Sequence, residues 1–209
     1  MRSGTANQRK IELGGKRRVL ETSPKELGEE EYEYITRRYY LSDEEVKRSE
    51  LGITNLHTHK TPTRLYIPMF RRDRTIRGYT ARDLSGLEDK KAITFKWRDD
   101  EPNLSWHNCR SSKALIIVED QFSAIRASTY MNAVALMGVT LNKAKVDEII
   151  RAGFTWAFIA LDKDATRASI KTALEWRSYL KLRVLKLEED LKDLSREELE
   201  KFMKELDGS

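Results

Sequence analysis

The chain has 209 residues, a formal net charge of +5, 39% hydrophobic residues and 35% charged residues. This composition is typical of a globular protein with a heavily charged surface, and no apolar run approaches the ~20 residues that a membrane-spanning helix requires. One cysteine excludes an internal disulfide. The N-terminus has no apolar signal segment, so we expect a cytoplasmic protein without a membrane partner.

The positive charge is concentrated in residues 2–18 and 64–98, whereas residues 186–209 are acidic overall. A basic surface favours a polyanion such as nucleic acid as a binding partner. It is equally common as a surface that only promotes solubility, so charge alone leaves both interpretations open.

The N-terminal part begins with residues 1–22, a basic arm that either forms a hairpin around its glycine pair or is flexible. The run S-P-K-E at 23–26 predicts a helix that extends to about Arg38, because it combines an N-cap serine, an early proline and a capping-box glutamate. Capping boxes also predict helix starts at Ser42 and Ser195.

Strand-like segments follow, and the first two predict a β-hairpin with a strongly basic tip. The tip contains Arg71 and Arg72, which are candidate contacts for nucleic acid. The polar stretch 99–112 is interpreted as a loop. These segments and the preceding helices predict a small basic α+β subdomain over residues 23–112. The expected strands are Arg64–Phe70, Ile76–Leu84 and Ala92–Arg98.

Between residues 113 and 194, buried apolar runs alternate with amphipathic stretches, and an acidic helix follows at 195–209. This order predicts an α/β fold with a four-stranded parallel sheet, flanking helices and right-handed crossovers. In the third of these helices, Ile170, Ala173, Leu174 and Leu180 are expected to face the sheet.

Two of the apolar runs end abruptly on carboxylates. A-L-I-I-V-E-D ends with Glu119 and Asp120, and A-F-I-A-L-D-K-D ends with Asp162 and Asp164. Because parallel strands have their carboxyl ends at one edge of the sheet, Glu119, Asp162 and Asp164 are expected to converge there. Such a group suits a hard divalent cation, most often Mg²⁺, although polar residues also end strands in ordinary loops.

These residues resemble a Toprim domain, the Rossmann-like catalytic core shared by primases, topoisomerases and some nucleases. More narrowly, the chain resembles the catalytic domain of bacteriophage DNA primases from about Glu30 to Leu199. The resemblance includes the basic segment R-L-Y-I-P-M-F-R-R-D-R-T-I-R-G-Y-T-A-R-D-L-S-G and the acidic run D-L-K-D-L-S that begins at Asp190.

The resemblance implies that Glu119 is the Toprim glutamate and that Asp162 and Asp164 are the metal-binding pair. Asp190, ahead of Asp193, would be the later acidic ligand. Many primases have an aspartate where this chain has Ser123, so Asp120 would supply the missing charge. The implied cofactor is Mg²⁺ or Mn²⁺.

For binding nucleotide or template phosphates, the resemblance implies Arg82, with Lys91 and Lys96 as further candidates. The implied activity is metal-dependent nucleotidyl transfer: a DNA primase that makes short RNA primers from ribonucleoside triphosphates on single-stranded DNA. The chain has too few cysteines and histidines for an ordinary zinc ribbon and has no P-loop, so a zinc-ribbon protein or replicative helicase would act in trans.

Two alternatives share this fold. The same carboxylates would serve a metal-dependent nuclease, and a chain weakened by Ser123 would serve as a nucleic-acid-binding replication accessory protein. The basic segment 64–98 favours the primase over the nuclease because it resembles the primase specifically.

Overall fold

The structure is a computed structural model that describes residues 24–56, 63–108 and 114–207, together with the backbone of two N-terminal strands. These strands, β1 (Arg9–Leu13) and β2 (Lys16–Leu20), pair in antiparallel register. This pairing agrees with the hairpin alternative for the basic arm. The predicted boundary between residues 112 and 113 lies outside the described residues.

The first helix begins later than its sequence predicts. Ser23 lies outside the described residues, and Lys25 forms an isolated antiparallel bridge with Ile53, with hydrogen bonds of 2.9 and 2.8 Å between their backbones. Helix α1 therefore spans Glu29–Arg38, with three glutamates in its first turn, where they interact favourably with the helix dipole. The capping-box pattern at 23–26 is overridden by this strand-like contact.

The other two capping boxes are confirmed. In α2 (Asp43–Arg48), the Ser42 hydroxyl accepts from the Glu45 amide, while the Glu45 carboxylate accepts from the Ser42 amide at 2.7 Å. Ser195 and Glu198 form the same reciprocal pair, at 2.8 and 3.2 Å, ahead of α6 (Arg196–Asp207). Each box satisfies backbone amides that have no partner within the helix.

The basic middle segment forms a four-stranded antiparallel sheet. Three of its strands correspond to the predicted hairpin and third strand. Most residues of β4 and β5 are buried, and Tyr66 and Tyr79 stack across them with ring centroids 4.7 Å apart. In order across the sheet, the strands are β3 (Gly52–Asn55), β4 (Thr63–Phe70), β5 (Ile76–Arg82) and β6 (Ala92–Lys96).

The second sheet has five strands in the order β11-β10-β8-β9-β7. Four of them are parallel, but β7 pairs antiparallel with β9, so the prediction of a purely parallel four-stranded sheet is incomplete. The strands are β7 (Ser105–His107), β8 (Leu115–Val118), β9 (Asn132–Ala135), β10 (Trp156–Ala160) and β11 (Lys181–Val184). The flanking helices are α3 (Gln121–Ala127), α4 (Lys143–Arg151), α5 (Thr166–Trp176) and α6.

Strand β7 lies in the stretch 99–112 that was interpreted as a loop. All three of its residues are buried, and Trp106 is completely shielded from solvent. A three-residue strand between polar residues gives no periodic signal, because its two faces carry only two side chains and one side chain. It also places part of the predicted subdomain 23–112 in the second sheet.

The predicted inner face of α5 is wrong for Ile170 and Leu174, whereas Leu180, just after the helix, is buried in the core as predicted. Ile170 and Leu174 are 49% and 60% exposed, whereas Ser169 and Thr172 are buried. A 3₁₀ turn at Lys163–Ala165 precedes the helix, and small residues then face the sheet. Two of the four residues in the apolar pattern, Ile170 and Leu174, therefore lie on the outer face of this helix.

The two sheets share packing through α3. Phe122 stacks on Tyr39 with ring centroids 3.7 Å apart, and both belong to a core that includes Leu65, Ile67 and Ile125. Within the described residues, no helix is long and apolar enough to cross a membrane.

Candidate active site

Carboxylates follow three adjacent strands at one edge of the five-stranded sheet. Glu119 follows β8, Asp162 and Asp164 follow β10, and Asp190 follows β11. These strands are parallel and adjacent in the order β11-β10-β8, so their carboxyl ends share that edge. The crossover connections thus bring together side chains that are more than 70 positions apart in the sequence.

The ammonium group of Lys192 lies among these carboxylates. Its Nζ is 2.5 Å from Oδ2 of Asp162 and 3.1 Å from Oδ2 of both Asp120 and Asp190. The lysine side chain is only 15% exposed. Its contacts raise the pKa of Lys192 well above the usual range: burial opposes this shift, but Asp120, Asp162 and Asp190 outweigh burial.

Asp120 has a structural role at the start of α3. As the N-cap, its Oδ1 accepts from the backbone amides of Phe122, at 2.8 Å, and Ser123, at 3.2 Å. The Ser123 hydroxyl donates to Asp120 Oδ2 at 3.0 Å, the same oxygen that contacts Lys192. Ser123 is buried, so at this position the chain places a neutral donor beside the carboxylate instead of a further charge.

Glu119 and Asp164 complete the group of carboxylates but are not among the ion-pair partners of Lys192. Burial raises the pKa of Glu119, Lys192 opposes this, and the charges of Asp120 and Asp164 add to it. Asp164 is exposed, in the 3₁₀ turn after β10.

Asp162 and Asp190 have opposite electrostatic tendencies. Burial raises the pKa of Asp162 to about 7, against the effect of Lys192. Burial acts in the same direction on Asp190, but the Lys163 backbone amide, which donates to its Oδ1 at 2.9 Å, and Lys192 together lower the pKa of Asp190. At this edge, Asp190 therefore loses its proton more readily than Asp162 does.

A buried arginine anchors the loop that carries Asp190 and Lys192. Arg126 of α3 donates to the carbonyls of Leu191, at 2.6 Å, and Ser195, at 3.3 Å. Asp193, the weaker candidate ligand, instead pairs with Arg38 at 2.6 Å.

The predicted nucleic-acid contacts separate into two groups. Arg82 lies on the carboxylate side: its guanidinium carbon is 5.4 Å from the ring centroid of Phe122, in the first turn of α3 after Asp120. Lys91 is exposed and adjoins Ala92, which pairs with Arg82 across β5 and β6.

The other three predicted contacts are bound by other groups of the protein, and of these Arg72 lies at the amino end of the parallel strands. Arg72 donates to the side chain of Asn132, the first residue of β9, at 3.0 Å, and stacks over Trp106. Arg71 binds Glu101 through two hydrogen bonds of 2.8 and 2.9 Å. Lys96 donates to the carbonyl of Glu101 at 2.8 Å, so all three groups already have protein partners.

The donor chemistry of the cluster fits the predicted metal, because carboxylate oxygens are the ligands that Mg²⁺ and Mn²⁺ prefer. Among the described residues, however, no three acidic, histidine or cysteine side chains are arranged as a ready metal site. Lys192 lies where three of the carboxylates meet. The carboxylate oxygens are therefore the right type of ligand for a divalent cation, but the ammonium group of Lys192 already neutralises part of their negative charge.

Lys192 and Arg126 were not identified from the sequence. A lysine between two aspartates is ordinarily a solvated surface residue, and an arginine in a short helix gives no sign of burial. The spacing D-x-K-D after a strand was the available signal for Lys192. Only the position of β11 beside β10 makes its charge part of the site.

Neither the family models nor the curated proteins that were searched match this sequence. Solved structures do match the fold. The zinc-binding and RNA polymerase domains of Aquifex aeolicus primase align with a TM-score of 0.67 and 18% identity, over 85% of this chain and 56% of that one.

A DnaG primase catalytic domain bound to single-stranded DNA aligns with a TM-score of 0.62 and 18% identity, over 85% of this chain and 70% of that one. The E. coli primase catalytic core aligns with a TM-score of 0.61 and 17% identity, over 83% and 72%. This chain spans little more than half the length of the Aquifex chain. Its fold is similar to that of the catalytic core of DNA primases.

Proposed function

We propose that this chain is a DNA primase core of the bacteriophage type, which makes short RNA primers on single-stranded DNA with Mg²⁺ or Mn²⁺. The primase-like fold supports the general assignment. The observation that carries the proposal is the meeting of Glu119, Asp120, Asp162 and Asp190 around one edge of the sheet, on three adjacent strands.

The proposed ligands of the divalent cations are Glu119, Asp162, Asp164 and Asp190, with Asp120 as an additional charge. When bound, the metal would polarise the attacking primer hydroxyl and neutralise charge on the transferred phosphoryl group. Asp120 holds the start of α3, and Arg126 holds the loop of Asp190, so both fix where the acidic side chains point.

Arg82 is the basic residue best placed to bind the triphosphate. It lies beside Phe122 on the carboxylate side, and a guanidinium binds phosphate oxygens through two parallel hydrogen bonds. Lys91 extends this basic edge towards a template strand.

A supporting role for the hairpin is assigned to Arg71, Arg72 and Lys96, because their donors already have protein acceptors. A zinc-ribbon protein or helicase in trans would select the priming site.

A second candidate is a replication accessory protein that binds nucleic acid without catalysis. Two observations favour it: Lys192 compensates three of the carboxylates, and Ser123 contributes a hydroxyl where many primases have a charge. This candidate shares the single-stranded DNA ligand of the primase but requires no divalent cation.

One experiment separates these functions. The protein is incubated with mixed-sequence single-stranded DNA, labelled ribonucleotides and Mg²⁺ or Mn²⁺, beside Glu119→Gln and Asp162→Asn variants. Asp147→Asn is the matched control, because Asp147 is a half-exposed carboxylate on α4, paired with Lys143. Labelled products that vanish in the two site variants and persist in the control support the primase.

Cleavage of the template by the same residues would instead identify a nuclease. DNA binding without any product, with or without an added replicative helicase and zinc-ribbon protein, would identify the accessory protein. In that case the site variants would retain the DNA affinity of the unmodified chain.

A further inference from the structure

The contacts of Lys192 define a site for a single positive charge. Its ammonium donates to Asp162 at 2.5 Å and to Asp120 at 3.1 Å, and it pairs with Asp190 at 3.1 Å. Three oxygens thus surround one cationic centre, which matches the three N–H donors of an ammonium. No fourth carboxylate contacts Lys192 in the described part of the chain.

Two of these oxygens belong to Asp162 and Asp190, which are proposed ligands of the divalent cation, and the third belongs to Asp120, the proposed additional charge. A metal binds carboxylate oxygens at about 2.0–2.6 Å, closer than the ammonium does, so both cations would share one small space. Two cations that close together repel each other strongly where water is partly excluded. The ammonium and a metal bound to Asp120, Asp162 and Asp190 therefore exclude each other.

The surroundings of Lys192 permit its head group to leave while its backbone is held. Arg126 fixes the flanking carbonyls of Leu191 and Ser195, and the Lys163 amide holds Asp190. The lysine side chain itself retains 15% exposure and a flexible four-carbon stem. The head group can move to solvent without displacing the proposed ligands.

We propose that Lys192 is an internal competitor of the divalent cation, which occupies the position between Asp120, Asp162 and Asp190 until the metal displaces it. This inference rests on the proposed function, because it concerns the metal assigned to that site. Lys192 thereby sets the metal concentration at which the site becomes occupied. It keeps the carboxylates together in the metal-free protein, where they would otherwise repel one another.

The test is Mn²⁺ binding to the full chain, measured by electron paramagnetic resonance and calorimetry without nucleotide or DNA. Lys192→Gln removes the charge but keeps hydrogen-bond donors, and Lys192→Met keeps the length of the side chain. Lys186→Met is the matched control, since Lys186 is an exposed lysine that pairs with Glu188 in the same segment. We expect both Lys192 variants to bind Mn²⁺ at least about tenfold more tightly than the unmodified chain, and the control less than about twofold.

Thermal unfolding provides a second readout. Without metal, the Lys192 variants should unfold at a lower temperature, and Mn²⁺ should restore more stability to them than to the unmodified chain. If Lys192→Met does not fold, Lys192→Gln still allows the comparison.

Equal or weaker Mn²⁺ affinity in the Lys192 variants would overturn competition while leaving the metal site in place. Absence of Mn²⁺ binding from every form, including Lys192→Gln, would overturn the metal site itself, and with it the proposed catalytic function.

Discussion

Arg126 donates a 2.6 Å hydrogen bond to the carbonyl of Leu191 from a position that is 1% exposed. This contact connects α3, which follows Glu119, to the loop that carries Asp190 and Lys192. Burial lowers the pKa of Arg126, because removing the guanidinium from water disfavours its charged form. The bond therefore joins two of the three strand ends that form the candidate site.

Replacing Arg126 with methionine should lower the free energy of unfolding by about 3 kcal/mol, because two buried carbonyls lose charged donors. Urea denaturation at pH 7 measures this effect. Arg167→Met on the outer side of α5 is the control, since Arg167 is exposed. A loss no larger than that of the control would show that Arg126 does not support the loop.

Glu148 connects α4 to both sheets. It accepts from the Trp106 indole at 2.7 Å and from the Arg77 guanidinium, which is almost fully buried in the antiparallel sheet. Glu148→Gln leaves that cation without its counter-charge, so the free energy of unfolding should fall by roughly 3–5 kcal/mol.

Urea denaturation of Glu148→Gln, Arg77→Met and the double variant provides the check. Because the two side chains form one pair, the double variant should lose clearly less than the sum of the single losses. Additive losses would mean that the pair contributes no coupling between α4 and the antiparallel sheet.

The alternation of parallel strands and helices along the chain could be predicted from sequence because buried strands and amphipathic helices have different periods. β7 could not, since a three-residue strand has no period. Nor could the inner face of α5: Ser169 and Thr172 face the sheet, while Ile170 and Leu174 remain exposed. The hydrophobicity of the helix residues does not indicate which face of the helix the preceding 3₁₀ turn orients towards the sheet.

The part of the candidate site that could be predicted is the convergence of its carboxylates, because this depends only on the direction of the strands. Glu119, Asp162 and Asp190 each follow a strand, and parallel strands end at one edge. The contacts of Lys192 with Asp120 and Asp162 were not predictable, because they join separate segments of the chain. The basic residues separated for the same reason: hairpin geometry, not charge, decides that Arg72 lies at the opposite end from Arg82.

His107 should make the protein sensitive to acid. Burial, aided by the charges of Arg74 and Arg48, lowers the pKa of His107 from 6.5 to about 3. The unfolded chain therefore takes up the proton first, and stability is lost as the pH falls from about 6.5 towards 3. The Ser105 hydroxyl lies 3.1 Å from Nε2, so it can donate to a neutral ring.

The expected loss from this residue is up to about 1.4 kcal/mol per pH unit within that range. Urea denaturation at pH 7, 6 and 5 compares the unmodified chain with His107→Gln, which cannot take up a proton there. Carboxylates contribute to both proteins, so the difference between their slopes reports His107. Parallel slopes would contradict the assignment.

Arg82 and Arg71 should differ in function although both are basic residues of one hairpin. Arg82 lies beside Phe122 on the carboxylate side, whereas the Arg71 guanidinium is bound by the Glu101 carboxylate through two hydrogen bonds. If phosphates bind near the carboxylates, Arg82→Ala should raise the ribonucleotide concentration needed for half-maximal primer synthesis about tenfold, the effect of losing one charged contact. Arg71→Ala should leave this concentration within about twofold of the unmodified value and mainly lower the free energy of unfolding, by roughly 1 kcal/mol.

Primer synthesis as a function of ribonucleotide concentration measures the first effect, and urea denaturation the second. Fluorescence anisotropy with labelled single-stranded DNA adds a comparison that does not depend on turnover. The reverse ranking, with nucleotide use more sensitive to Arg71 than to Arg82, would place the phosphates beside Arg71 instead of beside Arg82. Such a result would contradict the assignment of Arg82 to the triphosphate.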